Sequence, residues 1–497
     1  MTIKQIIGFL EPKNQNLPFA KIRHDFKNIP IIFVPVTEDN EKNLKKVFRF
    51  LKEKLDGKKG EKKQVVYKDQ VFNFIGMGPE KNVNSRSMRR FYGSAYLSAS
   101  ASKPKAIGFF CPLEFVKEAA IGVDVAALNP DMLKPKPKKN PIPEVIFVHP
   151  DFRKKKTQAN KAMKLGQMIA EGKNLMRILG TIPPNILSPK VYADLIVQLA
   201  KKWKVKCARI PKSKLSKYNL LNAVSAGSKY DSELLIITLH PKKGKTKKAT
   251  ALIGKGLCYD SGGLQGKQNY MKFMKEDMAG SASVLGAILT IAKGKLNLKE
   301  TTHFVIGLAE SMMGSQAMRA DDVYVAGDGQ TVEIIHTDAE GRLVLADCIC
   351  YVKNNFKNTD CYMTIATLTG SAIIALGEHY TGVTCNDETL AKELEETGKE
   401  VGEYMHIGPW DMDYDDNNSP VADMANLGEN DREAGWIKAG MFLNRFVPKG
   451  KKTKESLPFC HFDIAATIDM NEKGKPWRRK GFSSGIGVGV LSKLLTK

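Results

Sequence analysis

Two apolar runs near the middle of the chain, LLIITLH (234–240) and TALIGKG (250–256), constrain its fold more than any other feature. Neither alternates apolar with polar residues. Both therefore suit strands buried on two faces, and such strands belong to sheets covered by helices. The segments that follow agree. Residues 279–293 are rich in alanine and other apolar residues and read as a helix. THFVIGLAE (302–310) and VEIIHTD (332–338) read as strands, 342–352 as a helix, and CYMTIATLTG (361–370) as a strand running into a glycine turn. No internal repeat at a solenoid period is present. A central sheet flanked by helices is expected, with chemistry on the loops beyond the strand C-termini.

The first part of the chain alternates in the same way. PIIFVPV (30–36), VFNFIGMG (71–78), AIGFFCP (106–112) and EVIFVHP (144–150) are strand candidates, while 45–55 and 85–101 carry helical spacing. The segment KPKPKKNPIPE (134–144) breaks the periodicity. A long helix is expected over 157–180, ending at Gly180 before TIPPN (181–185), where paired prolines forbid continuation. The fold class is thus α/β, with two domains, each a mostly parallel or mixed sheet flanked by helices. The expected division is an N-terminal domain over 1–156, a connecting helix over 157–182 and a C-terminal domain over 183–497. A length of 497 residues supports more than one core.

Composition narrows the class of protein. The hydrophobic fraction of 42% suits a globular chain. No apolar run reaches the roughly 18–20 residues that span a bilayer. The N-terminal apolar stretch is too short for a signal peptide, and Glu11 speaks against a transit peptide, so the cytoplasm is expected. Eight scattered cysteines without a CxxC pair read as reduced thiols, with Cys348 and Cys350 on a buried helix. The net charge of +24 comes largely from lysine-rich runs at 58–63, 134–141, 153–156, 242–248, 449–452 and 478–480. These runs lack interleaved aromatics and match no nucleic-acid motif, so exposed solvated loops are the expected reading; a nucleic-acid or other acidic partner is the alternative.

The chemistry concentrates in two segments. GKGLCYDSGG (254–263), with its continuation MKEDM (274–278), carries Lys255, Asp260 and Asp277; HTDAEGRL (336–343) carries Asp338 and Glu340. Carboxylates are hard ligands that can bridge two divalent cations. Each residue also has a plainer reading. Lys255 and Asp260 could form a salt bridge. Asp277 could cap the helix that follows it. Asp338 and Glu340 could be solvated turn acids. Two apart in extended chain, however, they point the same way, and like charges on one side repel unless a cation sits between them. Arg342 could neutralise Glu340 or hold an anion. Gly266-Lys267 resembles the end of a phosphate-binding loop, but Ser261 and Gln268 break that pattern and exclude it. His336 is expected to bond locally beside the site, with an extra-ligand role as the alternative. The other histidines show no ligand spacing.

GKGLCYDSGG, KFMKEDMAG (272–280) and HTDAEGRL resemble the signature segments of the leucyl aminopeptidases, the M17 cytosol aminopeptidase family. The resemblance extends to TIPPN (181–185), ATLTG (366–370), SPVADMANLG (419–428), AGMFLNRFV (439–447) and HFDIAAT (461–467). It continues weakly into the N-terminal domain, macro-like by this resemblance, at IGMG (75–78) and RRFYGSA (89–95). It implies a two-metal aminopeptidase acting on short peptides with a free N-terminus, Leu-like residues preferred. Asp260 and Glu340 would bridge two divalent ions (Zn2+, Mn2+ or Mg2+). Asp338 would complete one site, and Lys255 and Asp277 the other. A lysine ligand must be neutral, which requires the cations to lower its pKa. Lys267 would polarise the scissile carbonyl, and Arg342 would hold a bicarbonate ion serving as general base. Thr367, Leu368 and Gly370 would bind the peptide backbone, and Met274, Ala465 and Ile468 would line the pocket for the first side chain. A homohexamer with inward-facing sites is also implied.

The chain departs from the family pattern at His336, where Asn is usual, and at Gly266, where a hydrophobic residue is usual. Its loop over 268–276 is one residue shorter than typical, Ala320-Asp321-Asp322 replaces Pro-Gly-Asp, and Trp436 takes a position that is commonly small. Gly266 and the short loop bear on how Lys267 is aimed. They motivate two alternatives, a catalytically weak member with a scaffold role and, with the basic loops, an aminopeptidase that also binds nucleic acid.

Overall fold

The computed structural model describes residues 2–497 except 12–13, 16, 130, 132–133, 135–140, 429–432, 451–454 and 469–474. Most of the lysine run at 134–141 and half of that at 449–452 lie outside the described residues. The chain divides into two compact units. One comprises Gly8–Asn174 with Lys473–Gly481; the other comprises Met1–Ile7, Leu175–Glu472 and Phe482–Lys497. The division falls inside the long helix Phe152–Thr181, between Asn174 and Leu175. This helix begins earlier than the spacing predicts and takes in the run 153–156, so those lysines lie on a helix, not in a loop. Lys155 is non-helical, at φ −109° and ψ 22°.

In the first unit, six strands pair in the order Ala20–Arg23, Glu144–Val148, Ala106–Phe110, Ile31–Thr37, Gln70–Gly78 and Lys62–Tyr67. All pairs are parallel except the last. Successive side chains go to opposite faces. Phe33, Phe109 and Phe147 enter the core shared with the helices Ser85–Ser100 and Val116–Ala127. Val34, Phe110 and Val148 enter the other. The helix expected over 45–55 is instead Glu41–Val47. It stops because Phe48 leaves helical geometry to reach an aromatic cluster. Its ring lies 5.2–6.0 Å from those of Phe26, Phe50, Phe72, Phe74 and Phe110. Leu51 and Leu55 then enter the same core from irregular chain. The lysine run at 58–63 ends within an edge strand: Lys62 and Lys63 begin Lys62–Tyr67.

In the second unit, eight strands pair in the order Met405–Ile407, Thr381–Cys385, Phe459–Asp463, Thr359–Ala366, Ala249–Asp260, Thr301–Ser311, Glu233–Leu239 and Cys207–Ile210. The four strands from Phe459–Asp463 to Thr301–Ser311 are mutually parallel, so they deliver their C-terminal ends, including Asp260, Ala366 and Asp463, to one edge. The helices Ala279–Gly294 and Gly341–Asn355 pack against the central strand Ala249–Asp260. Cys348 and Cys350 are buried on the latter, and all eight cysteines are free. Among the described residues no helix is long and apolar enough to cross a membrane.

Candidate active site

Lys255 lies within the central strand, buried at 2% exposure. The strand does not end at the glycines around it, as the sequence suggests, but runs on to Asp260. The glycine before Lys255 serves close approach. A Cβ on Gly254 would stand 2.7 Å from Ser281 Cα, so its absence lets the helix Ala279–Gly294 press against the strand. Lys255 Nζ then lies 3.0 Å from Asp277 Oδ1, 2.9 Å from the Thr367 carbonyl and 3.3 Å from Glu340 Oε1. A Cβ on Gly341 would meet Nζ at 2.5 Å, so only glycine leaves the ammonium its place.

Asp277 is not the cap of its helix; Met278 holds that position. Asp277 Oδ1 instead accepts from Lys255 and, at 2.6 Å, from the Thr367 hydroxyl. Asp338 and Glu340 do not share a strand face either, because the strand stops at Glu333. The Asn426 side chain diverts the chain. Its Oδ1 accepts from Ile335 N at 2.8 Å and His336 N at 3.3 Å, and its Nδ2 donates to the His336 carbonyl at 2.8 Å. Thr337 fastens the resulting turn to the 262–265 loop. Its hydroxyl donates to the Gly262 carbonyl at 2.6 Å, and its N–H donates to Gln265 Oε1 at 2.6 Å. Glu340 emerges in helical conformation just before Gly341–Asn355. His336 Nδ1 accepts from Asp338 N at 3.1 Å, a local bond.

Lys267 follows Gly262, Gly263 and Gly266, all at positive φ. At φ +63° and ψ 138°, Gly266 holds a backbone conformation closed to other residues, and Met313 Cε stands 3.0 Å from where a Cβ would lie. The turn aims Lys267 inward. Its Nζ lies 2.7 Å from Asp260 Oδ2 and bonds Asp338 Oδ1.

The electrostatics are those of crowded acids. Carboxylate oxygens of Asp260, Asp277 and Glu340 lie within 4.8 Å of one another, all buried. Burial first, then Asp260, holds Glu340 well above the usual carboxylate range. Burial also raises Asp277 and Asp338, with Asp260 adding to each. For Lys255, burial disfavours the ammonium, but Asp277, Glu340 and Asp260 outweigh it and hold the pKa above its ordinary value. The protein's own charges thus favour protonated Lys255, and a cation using it as ligand must displace that proton. Arg342 is buried, donates Nη1 to the Asn426 carbonyl at 2.9 Å, and places its guanidinium 5.8 Å from the Phe442 ring centre. Burial pushes its pKa down to about 10.

This donor set fits a divalent metal. Asp277 Oδ2 and Glu340 Oε2 are buried without a hydrogen-bond partner, a costly arrangement for carboxylate oxygens unless a cation takes them. Hard oxygens joined by one amine nitrogen suit such an ion.

The remaining candidates come from three segments: Met274 just before Asp277, residues 367–370 after the strand Thr359–Ala366, and Ala465 and Ile468 after the strand Phe459–Asp463. Thr367 links to Asp277 and Lys255, as above. Leu368 N donates to Asp463 Oδ1 at 3.2 Å, as does Ala465 N at 3.2 Å. Gly370 begins the helix Gly370–Leu376. Met274 is buried three residues before Asp277, and its carbonyl accepts from Asp277 N at 3.2 Å. Ile468 is fully buried. Sequence reasoning gave no role to Asn426, Thr337, Gln265 or Asp463, although all but Gln265 lie in the segments SPVADMANLG, HTDAEGRL and HFDIAAT that carry the family resemblance.

The model of the cytosol aminopeptidase family, catalytic domain, matches residues 174–492. A probable cytosol aminopeptidase of Rickettsia typhi is 32% identical over 432 residues, covering 85% of this chain and 84% of the relative. Another, from Persephonella marina, is 37% identical over 347 residues, covering 69% and 67%. Among solved structures, the bottromycin maturation enzyme BotP, in complex with Mn, matches with a TM-score of 0.79 at 25% identity, over 94% of this chain and 98% of its own. A tomato leucine aminopeptidase, solved as a mutant, has the same fold, with a TM-score of 0.82 at 23% identity over 98% and 99%. Joined to a buried acidic cluster that suits divalent ions, these matches show that the chain belongs to the cytosol aminopeptidase family, M17, and is a metallo-aminopeptidase.

Proposed function

We propose that the protein removes the N-terminal residue, Leu-like by preference, from short peptides, using two divalent ions held by Lys255, Asp260, Asp277, Asp338 and Glu340. The observation that carries this reading is the convergence of three buried carboxylates with two partnerless oxygens. Ions bound there would supply Lewis acidity to the scissile carbonyl and to the attacking water. BotP in complex with Mn supports manganese as a candidate, beside zinc and magnesium.

The chain's own groups have distinct tasks in this reading. Lys267, whose ammonium already reaches Asp260 and Asp338, stabilises negative charge developing on the carbonyl oxygen. Arg342 offers a buried cation, still charged near neutral pH, for a bicarbonate base, and its anchor on the Asn426 carbonyl fixes its direction. Thr367, Leu368 and Gly370 orient the peptide backbone. Met274 and Ala465 shape the pocket for the first side chain, and methionine adapts to apolar shapes. The homohexamer and the cytoplasm belong to the same reading, through the family and its relatives named as cytosol enzymes.

The test is reconstitution. Chelator-treated protein should not hydrolyse leucyl-p-nitroanilide, and Mn2+ or Zn2+ should restore turnover. Full activity without metal would sink the two-metal proposal, and no activity with any divalent ion would sink it and leave the scaffold reading.

A further inference from the structure

Asp463 ends the strand Phe459–Asp463 and is completely buried. Its Oδ1 accepts from the amides of Leu368 and Ala465, both at 3.2 Å. Its Oδ2 accepts from the Thr369 hydroxyl at 2.6 Å. Thr369 is the N-cap of Gly370–Leu376, and its oxygen accepts in turn from Ala372 N at 3.3 Å and from the Ser371 hydroxyl at 3.0 Å. One carboxylate therefore holds Leu368, Ala465 and the entry to the helix at Gly370.

The residue before this group faces the other way. The Thr367 carbonyl accepts from Lys255, and its hydroxyl donates to Asp277. The short segment 367–369 is thus pinned at two points, one on the acidic cluster and one on Asp463. A buried charge is an expensive anchor where a neutral acceptor would serve two amides. Burial pushes the Asp463 pKa up to about 6, against its three hydrogen bonds. What the charge adds is stiffness, since bonds to an ionised acceptor are roughly twice as strong as neutral ones.

We infer that Asp463 is a positioning residue for the substrate loop: it sets the spacing between Leu368 and Ala465 and so governs how the first residue of the peptide is gripped, without holding metal. The inference rests on the proposed aminopeptidase reading.

Full-length Asp463→Asn, Thr369→Val and Thr369→Ser test it. For each, bound Mn2+ per chain, KM and kcat on leucyl- and alanyl-p-nitroanilide, and amide hydrogen exchange over 366–370 and 463–467 are measured. Asp463→Asn and Thr369→Val should keep wild-type Mn2+ content. Their KM for the leucyl substrate should rise about tenfold while kcat changes less than about threefold, the pattern of lost uniform binding worth about one hydrogen bond. The preference for leucyl over alanyl substrate should shrink and exchange over 366–370 should quicken. Thr369→Ser should match wild type. Unchanged KM and exchange in both disruptive variants would overturn the inference, as would joint loss of Mn2+ and kcat, which marks a support of the metal ligands. If Asp463→Asn does not fold, Thr369→Val against Thr369→Ser decides. An inactive wild type would refute the function proposal alone, because the exchange rates still judge the anchor.

Discussion

At the scale of single residues, the site is a store of unfavourable charge. Asp260, Asp277 and Glu340 crowd together out of water, and two lysines neutralise only part of what they carry. Removing one charge should help the metal-free fold and harm the loaded one. Glu340→Gln should therefore raise the melting midpoint of chelator-treated protein, because it removes an acid whose charged form burial and Asp260 already disfavour. It should also abolish turnover and reduce bound metal. Calorimetry with and without Mn2+ checks both signs, and a lower midpoint in the metal-free variant would show that Glu340 is not repelled there. The identities of these residues were legible in the sequence. The reasons for their placement were not. Asp277 looked like a helix cap, yet its side chain turns to Lys255 and Thr367, partners far away in the chain.

At the scale of elements, the turn that carries Asp338 and Glu340 depends on a side chain remote from it. Asn426→Ala would leave Ile335 N, His336 N and the His336 carbonyl without that partner. Stability should fall by about 1–3 kcal/mol, and activity should fall further, because the turn that carries both acids loses its side-chain anchor. Urea unfolding beside leucyl-p-nitroanilide kinetics measures the two. Equal, small losses in both would show that the turn holds by itself. The strands offer a second test. His303, on Thr301–Ser311, bonds the Thr238 hydroxyl through Nδ1 at 2.9 Å and stacks 4.1 Å from the Phe356 ring. Burial, with a smaller push from His240, lowers its pKa to about 4. In the unfolded chain it takes a proton below about pH 6.5. The unfolded state thus binds more protons between those values, and stability falls as pH drops from 6.5 toward 4. His303→Gln should flatten that part of the stability profile, read by urea midpoints across pH 4–7. The helix expected over 45–55 shows the limit of pattern here. Apolar spacing in that segment reports burial around Phe48, and burial does not require a helix.

At the scale of the whole molecule, metal and fold are linked. An ion that binds only the folded site stabilises it by mass action, about 4 kcal/mol at a free concentration a thousandfold above its Kd. The melting midpoint should therefore climb with Mn2+ and return on chelation; an unchanged midpoint in a protein shown to bind Mn2+ would mean that the unfolded chain binds the ion equally well, so that the folded cluster is not its site. By itself the sequence determined the α/β class, the strands buried on both faces, and the residue types able to hold a cation. These follow from local periodicity and side-chain chemistry. Only the tertiary structure decided that Gly254 makes room for a helix and that Gly341 clears space for the Lys255 ammonium. It also decided that Asn426 bends the chain to deliver Asp338 and Glu340, and that Asp463 anchors the loop beside them. The contacts that decide these points join residues well separated in sequence, from 27 positions for Gly254 and Ser281 to 91 for Ile335 and Asn426 and 95 for Leu368 and Asp463. A periodic pattern records what a residue needs from water, and it carries no record of which distant group will meet it.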